Sequence, residues 1–284
     1  MKIYIGTSGW QYYHWKGKFY PEDLPSKDFL KFYSKYFNTV EVNTSFYHFT
    51  KKSTFEKWKA QINTDSTRIN ADIINNNQRI KNPHKSVLDP RKSAGFLFSI
   101  KLNRLFTHFR KLKLNKDDKR ILKETIETYK VLGKNLGPIL IQLPPSLKKD
   151  LKVLEKFLKN FESRGLTRIS TRMNADKISI KLAIEFRHKS WLDKETYNFL
   201  KKKNVAFVIS DSPRWPTDIV KTADFVYIRF HGKPKIFASK YEKEELQKYA
   251  KEIKKLKPKI LFAYFNNDAE GYAIEDALEF QKLF

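Results

Sequence analysis

The chain has 284 residues, 40% of them hydrophobic and 15% aromatic, enough to bury the core of one large domain or two ordinary ones. It has no cysteine, which excludes a disulfide framework, a thiolate metal site and a cysteine nucleophile together. The net charge of +26 favours a polyanionic partner, but 45 of the 57 basic residues are Lys, spread along the chain. That distribution suits a solvated surface as well as a nucleic-acid footprint, and nucleic acid is kept as an alternative partner through that surface. No apolar run reaches membrane-spanning length, and "MKIYIGTSGWQYYHW" lacks the parts of an export signal, so a cytoplasmic protein with no membrane partner is expected.

In chain order, short β-branched and aromatic runs predict strands at 2–6, 39–43, 96–101, 138–143, 181–186, 205–210, 225–230 and 260–265. Between them, 26–37 carries Phe29, Leu30, Tyr33, Tyr36 and Phe37 at helical spacing behind Pro25-Ser26. The segment 119–133 does the same with Ile121, Leu122, Ile126 and Tyr129, ending at Gly133. "LKVLEKFLKNF" and "YEKEELQKYAKEIKKL" repeat the pattern. Eight strands alternating with helices predict a single TIM-barrel-like (β/α)8 domain over 1–284, with a doubly wound open sheet as the alternative. The Asn-rich segment 61–94 is expected to be an insertion between the second and third strands.

Strand parity then selects a set of polar residues. In "KLAIEFRH", Leu182, Ile184 and Phe186 share one face, leaving Ala183, Glu185 and Arg187 on the other. Similarly placed residues are Glu41 and Asn43, Ser99 and Lys101, Tyr227, Arg229 and His231, and Asn266 and Asp268. Gln142 and Asp211 come from the fourth and sixth predicted strands. All fall at the C-terminal strand ends, where barrel enzymes place their active sites. A buried ring of this kind needs balanced charge, and Glu41, Glu185 and Asp211 face Lys101, Arg187 and Arg229. A polar plug closing the barrel is the competing reading.

The motifs "GTSGWQYYHWKGKFYP", "TVEVNTSFY", "FSIK" followed by "THF", "LGPILIQLPP", "AIEFRHKSW", "YIRFHG" and "YFNNDAEGYA" occur in order over nearly the whole chain. Together they resemble the YecE-like family, known as domain of unknown function 72. The resemblance implies a variant (β/α)8 barrel and brings no established reaction. Its motif positions are Thr7, Ser8, Trp10, Glu41, Asn43, Lys101, Thr107, His108, Gln142, Glu185, Arg187, His188, Trp191, Arg229, His231, Asn266, Asn267 and Asp268. Two departures stand out: Thr50 where such proteins usually show Pro, and the long 61–94 connection.

The first loop gathers Trp10, Tyr12, Tyr13, Trp15, Phe19 and Tyr20, read as a hydrophobic lid with Trp10 as the expected ligand contact; a stacking platform is the alternative. The expectation for function is acid–base chemistry on an anionic, phosphate-bearing ligand. Lys101, Arg187 and Arg229 hold the charge, and Glu185, helped by Asp211 or His231, moves a proton. Ligand contacts are expected from Thr7, Ser8, Trp10, Glu41, Asn43, His108, Gln142, His188, Trp191, Asn266, Asn267 and Asp268. No cofactor is called for. A divalent metal, and with it a phosphodiesterase or nuclease, is disfavoured because Lys101, Arg187 and Arg229 compete for the same carboxylates. A non-catalytic binding barrel is the third reading; oligomeric state is left open.

Overall fold

A computed structural model describes residues 1–63, 95–162 and 180–284, together with the strand backbone at 169–171 and 174–178. The expected insertion therefore lies, from residue 64 onward, outside the described residues. Eight strands form one parallel sheet: β1 (Lys2–Thr7), β2 (Thr39–Val42), β3 (Leu97–Lys101), β4 (Leu136–Gln142), β7 (Leu182–Glu185), β8 (Ala206–Asp211), β9 (Phe225–Phe230) and β10 (Ile260–Phe265). A two-stranded antiparallel hairpin, β5 (Ile169–Thr171) and β6 (Asn174–Ile178), sits in the connection before β7. The order around the sheet is β1-β10-β9-β8-β7-β4-β3-β2, which brings β1 back beside β2. This is the predicted (β/α)8 barrel, and each of its strands lies within two residues of the sequence reading.

The seam between β1 and β2 has no strand ladder and is closed by side chains instead. Thr7 donates its N–H to the Tyr33 hydroxyl at 2.9 Å, that hydroxyl donates to the Thr39 carbonyl at 3.1 Å, and Asn38 Nδ2 donates to the Ile3 carbonyl at 2.8 Å. Gly6 allows the approach: a Cβ there would lie 2.2 Å from the Thr39 carbonyl oxygen.

Helices α1 (Phe29–Tyr33), α2 (Thr44–Tyr47), α3 (Lys52–Asn63), α4 (Lys116–Tyr129), α5 (Leu151–Glu162), α6 (Lys194–Lys203), α7 (Lys243–Lys255) and α8 (Tyr272–Gln281) lie among the described residues. Helix α4 begins earlier than its apolar period suggests because Asn115 and Asp118 form a capping box, each side chain bonding the other's backbone N–H. It passes into a tighter 3-10 segment in which Gly133, at φ 57°, reverses the chain toward β4. The predicted 26–37 helix shortens to α1 between tight turns, although Phe29, Leu30, Tyr33 and Phe37 still bury their rings and branches. Helix α6 starts on Asp193, which accepts from the Thr196 N–H, and stops at left-handed Asn204.

The two faces of the sheet separate as parity predicts. Leu182, Ile184, Phe186, Phe98 and Ile100 point to the helix layer. Tyr4, Leu140, Ala183, Val208, Phe225, Tyr227, Phe262 and Tyr264 fill the barrel axis. Small residues on one side of the axis, Ala183 and Ala206, make room for the rings of the other. Above these rings lies a layer of hydroxyls: Ser99 Oγ is 2.8 Å from the Tyr227 hydroxyl, and Thr39 Oγ1 is 2.8 Å from that of Tyr264. The interior thus grades from apolar to hydroxylic and, at the C-terminal strand ends, to charged.

Candidate active site at the barrel mouth

Because β2, β7 and β9 all run in one direction and end together, their last inward residues converge. Arg229, 1% exposed, reaches from β9 between two fully buried carboxylates. Its Nη2 donates to Glu41 Oε1 at 2.7 Å and its Nη1 to Glu185 Oε2 at 2.5 Å. Glu41 is completed by Ser8 Oγ, donating at 2.8 Å, and by the Tyr227 hydroxyl, donating to Oε2 at 2.6 Å. Arg187 Nε donates to Glu185 Oε1 at 2.7 Å, and its Nη2 donates to Gln142 Oε1 at 2.9 Å. The register explains the last contact, since Gln142 of β4 lies directly beside Glu185 of β7.

These contacts decide the charge states. Burial pushes both glutamates up, yet the Arg229 charge and the donated hydrogen bonds outweigh it, holding Glu41 below and Glu185 well below the usual carboxylate range. Burial alone would lower Arg229, and its two carboxylates raise it instead. Two glutamates and two arginines balance to zero, the compensation a buried ionic group requires.

Lys101, at the end of β3, stands outside that balance. It is 8% exposed, and among the described residues its Nζ has neither a hydrogen-bond acceptor nor a carboxylate within ion-pair distance; it lies 4.0 Å from the centre of the Phe46 ring. Burial and the Arg229 charge bring its amine down to about 7. His108, half-buried, takes Thr107 Oγ1 at 2.8 Å on Nδ1 and packs edge-on to Phe46. Burial and the Lys101 charge lower it to about 4. His231, fully buried, has Asn266 Nδ2 3.2 Å from its Nδ1, which places the neutral ring's proton on Nε2. That Nε2 faces Glu185 Oε2 from 3.9 Å, beyond hydrogen-bond reach, and is unpaired, as is Asn43 Oδ1. Burial and Arg229 lower His231 to about 4.

The structure therefore brings together Ser8, Glu41, Asn43, Lys101, His108, Gln142, Glu185, Arg187, Arg229, His231 and Asn266. It places the other expected residues elsewhere. Asp211 ends β8 on the opposite parity from Ser210 and points to the helix layer. There it accepts from the Tyr241 and Tyr249 hydroxyls, each at 2.6 Å, and pairs with Lys233. Trp10 packs edge-on against Trp58 at 5.0 Å in the outer core, so it is not positioned as a ligand contact.

The rest of the aromatic loop is tied down in the same way. Trp15 Nε1 donates to Asp268 Oδ1 at 2.8 Å, and the Tyr20 hydroxyl donates to the Trp10 carbonyl at 2.6 Å. Asp268 is thus an anchor for that loop, its carboxyl raised by burial to about 6 against the pull of Trp15 and His14. Asn267 holds Asp276 at 2.6 Å, Trp191 Nε1 donates to the Leu147 carbonyl at 2.8 Å, His188 Nδ1 accepts from the Ser190 N–H at 3.1 Å, and Thr7 bonds Tyr33. All four serve local architecture.

Two site residues escape the sequence reading. Trp215, from the loop after β8, lies under Arg187 with its ring centre 3.7 Å from the guanidinium carbon, and it packs edge-on to His231. No period marks that loop. Phe46, in α2, forms the wall beside Lys101 and reads from sequence as ordinary core.

Among the described residues, no three His, Asp or Glu side chains are grouped to hold a metal ion; the ring carboxylates accept from Arg, Tyr and Ser. No helix among the described residues is long and apolar enough to cross a membrane.

Comparison with known proteins gives the same frame. UPF0759 protein YunF of Bacillus subtilis (strain 168) is 24% identical over 99% of this chain and 94% of its own. The crystal structure of the DUF72 family protein TM1631 from Thermotoga maritima MSB8 superposes with a TM-score of 0.72 at 26% identity, covering 100% of this chain and 99% of that one. That of EF0366 from Enterococcus faecalis V583 gives 0.71 at 18% identity, over 99% and 94% of the two chains, a likeness of fold alone. The family model described as protein of unknown function DUF72 matches residues 4–67 and 89–284, with its break inside the Asn-rich stretch. The chain belongs to the DUF72, or YecE-like, family.

Proposed function

We propose that the barrel mouth is the active site of an enzyme that performs acid–base chemistry on a small anionic, phosphate-bearing ligand. One observation carries the reading: the glutamates and arginines neutralise each other, leaving Lys101 as an unmatched amine at the ring. Charging that amine gives the mouth a surplus positive charge, which an incoming anion compensates. Arg187, its guanidinium braced on Trp215 and still carrying unused N–H groups, supplies donors.

Within this reading the proton moves at Lys101. Glu185 has both oxygens committed to arginines and is held ionised well below neutral pH, which makes it a poor base. Its part is to position Arg187 and Arg229. Asp211 takes no part, and His231 offers an N–H toward the ring. The reading calls for no metal, since the two ring carboxylates that would ligate one already accept from Arg229, Arg187, Ser8 and Tyr227.

Calorimetric titration with inorganic phosphate and with sulfate tests the reading. Sulfate does not titrate near neutral pH and so isolates the amine. An anion beside Lys101 raises its pKa, so sulfate binding takes up a proton near pH 7 and weakens as pH rises beyond it. Arg187→Met weakens both anions. Binding that is indifferent to Arg187→Met and to pH would place the anion elsewhere.

A further inference from the structure

We infer that Lys101 is a carbonyl-capturing nucleophile, and that the ligand of this site carries an aldehyde, ketone or 2-oxo acid group within reach of its anionic end. The clause about the anionic end rests on the reading above; the capture of a carbonyl does not.

A lysine that merely holds an anion does so through its ammonium form. Such a residue is charged, and a buried charge is ordinarily paired or hydrogen-bonded. Lys101 is nearly buried, its Nζ finds no oxygen acceptor among the described residues, and an aromatic wall stands 4.0 Å away. Neither carboxylate of the ring is free to pair with it. Glu41 accepts from Arg229, Ser8 and Tyr227; Glu185 accepts from Arg187 and Arg229. Desolvation beside other cations is the arrangement that keeps a lysine amine uncharged and nucleophilic. The lowering of its pKa to about 7 agrees with this geometry.

The chemistry balances without an oxidant or cofactor. The Nζ lone pair adds to the carbonyl carbon while the C=O π pair moves to oxygen. A proton passes from nitrogen to that oxygen, giving a carbinolamine. The nitrogen lone pair then forms C=N as the oxygen, protonated again, leaves as water. The product is the iminium; release of its N–H proton returns the one taken up by the oxygen, so that overall amine and carbonyl compound become imine and water. The iminium draws electrons from the adjacent carbon, so a proton or a carbon–carbon bond there can be broken heterolytically. This is consistent with the acid–base chemistry proposed for the site. The reaction class that follows is addition, cleavage or isomerisation next to a carbonyl.

The test is reductive trapping. The full-length protein is incubated at pH 7 with sodium cyanoborohydride and either pyruvate or dihydroxyacetone phosphate, then digested for peptide mass spectrometry. The expected adduct has the mass of the probe less one oxygen atom, because water is lost and two hydrogens are gained. It is expected on Lys101 at a rate on the order of a hundredfold above the other lysines, whose amines are almost wholly protonated at that pH. In the wild-type protein, labelling at Lys101 is expected to be half-maximal near pH 7, whereas other lysines keep accelerating toward pH 10. Lys101→Arg abolishes that adduct.

Labelling of Lys101 no faster than of other lysines, by both probes, overturns the inference, even where phosphate binds by calorimetry. Fast labelling that excess phosphate suppresses supports both readings. Fast labelling that phosphate leaves untouched supports carbonyl capture and overturns the anion site. The pH profile requires no variant, so it decides the matter even if Lys101→Arg misfolds.

Discussion

Arg187 and Glu185 meet at 2.7 Å at the rim of the barrel, and their surroundings differ: the arginine side chain is 15% exposed, the glutamate not at all. Glu185 keeps Arg229 on its other oxygen when Arg187 is removed, and water can enter from the rim to bond the one left bare. Arg187→Met is therefore expected to cost no more than ~2 kcal/mol in denaturant unfolding. Arg229→Met strands two carboxylates that water does not reach, and is expected to cost about 3–5 kcal/mol or more. Equal losses in the two variants would mean that the ring is a uniform structural plug, with nothing at its rim to spare for a ligand.

A second expectation separates the ring from Asp211. Its carboxylate lies on the outer face of β8 among Tyr241, Tyr249 and Lys233. Asp211→Asn weakens charge-assisted hydrogen bonds and is expected to lower stability by about 1–3 kcal/mol. Phosphate affinity by calorimetry should match wild type, because the partners of this carboxylate, Tyr241, Tyr249 and Lys233, lie outside the ring. Loss of binding in a folded Asp211→Asn protein would return it to the site.

Asp211 also shows where sequence reading succeeds and where it stops. Period-2 alternation settles the strands and sends Glu185, Arg187, Arg229 and Lys101 inward, because each follows an inward neighbour by two residues. The same rule, applied to Asp211, counts it outward with Phe207 and Ile209; only its position at the strand end and its charge suggested the ring. Past the strand ends, parity lapses and loops decide. Asp268 and Asn267 are turned away by contacts with Trp15 and Asp276, partners distant in sequence or lying in the next helix. Trp10 belongs to the outer core because Trp58 and Phe98 come to meet it, and no local pattern announces a tertiary contact. Trp215 enters the site for the same kind of reason, from an aperiodic loop.

Acid should reveal His231. Its folded-state pKa of about 4 lies below the value near 6.5 that an unfolded chain gives it, so between those limits the unfolded state binds a proton that the folded state refuses. Stability then falls as pH drops from about 6.5 to 4, by up to ~3 kcal/mol from this residue, and nothing is lost above neutral pH. Asp268 and Asp276, both raised to about 6 chiefly by burial, act with the opposite sign in the same window. The informative quantity is the difference between wild type and His231→Asn across pH 4–7. That difference should shrink steadily toward acid; a flat difference would show that His231 accepts its proton in the folded protein as readily as outside it.

Lys101 should show a signature of the same sign at alkaline pH. Its amine titrates near 7 in the folded protein and near 10.5 when unfolded, so throughout that interval the unfolded chain holds a proton that the native state lacks. Stability associated with this residue is lowest at and below pH 7 and recovers as pH climbs toward 10. Replacing the amine by an apolar side chain of similar length removes the penalty. Lys101→Met is accordingly expected to be more stable than wild type at pH 7, by about 2–4 kcal/mol, with the advantage narrowing steadily by pH 10. A side chain that costs the fold this much is retained for what it does, and stability given up at one position is how active sites commonly differ from cores. The same variant should lose sulfate binding. A Lys101→Met protein less stable than wild type at pH 7 would mean that the amine is charged and held by the ring, which would remove the basis for reading it as a nucleophile.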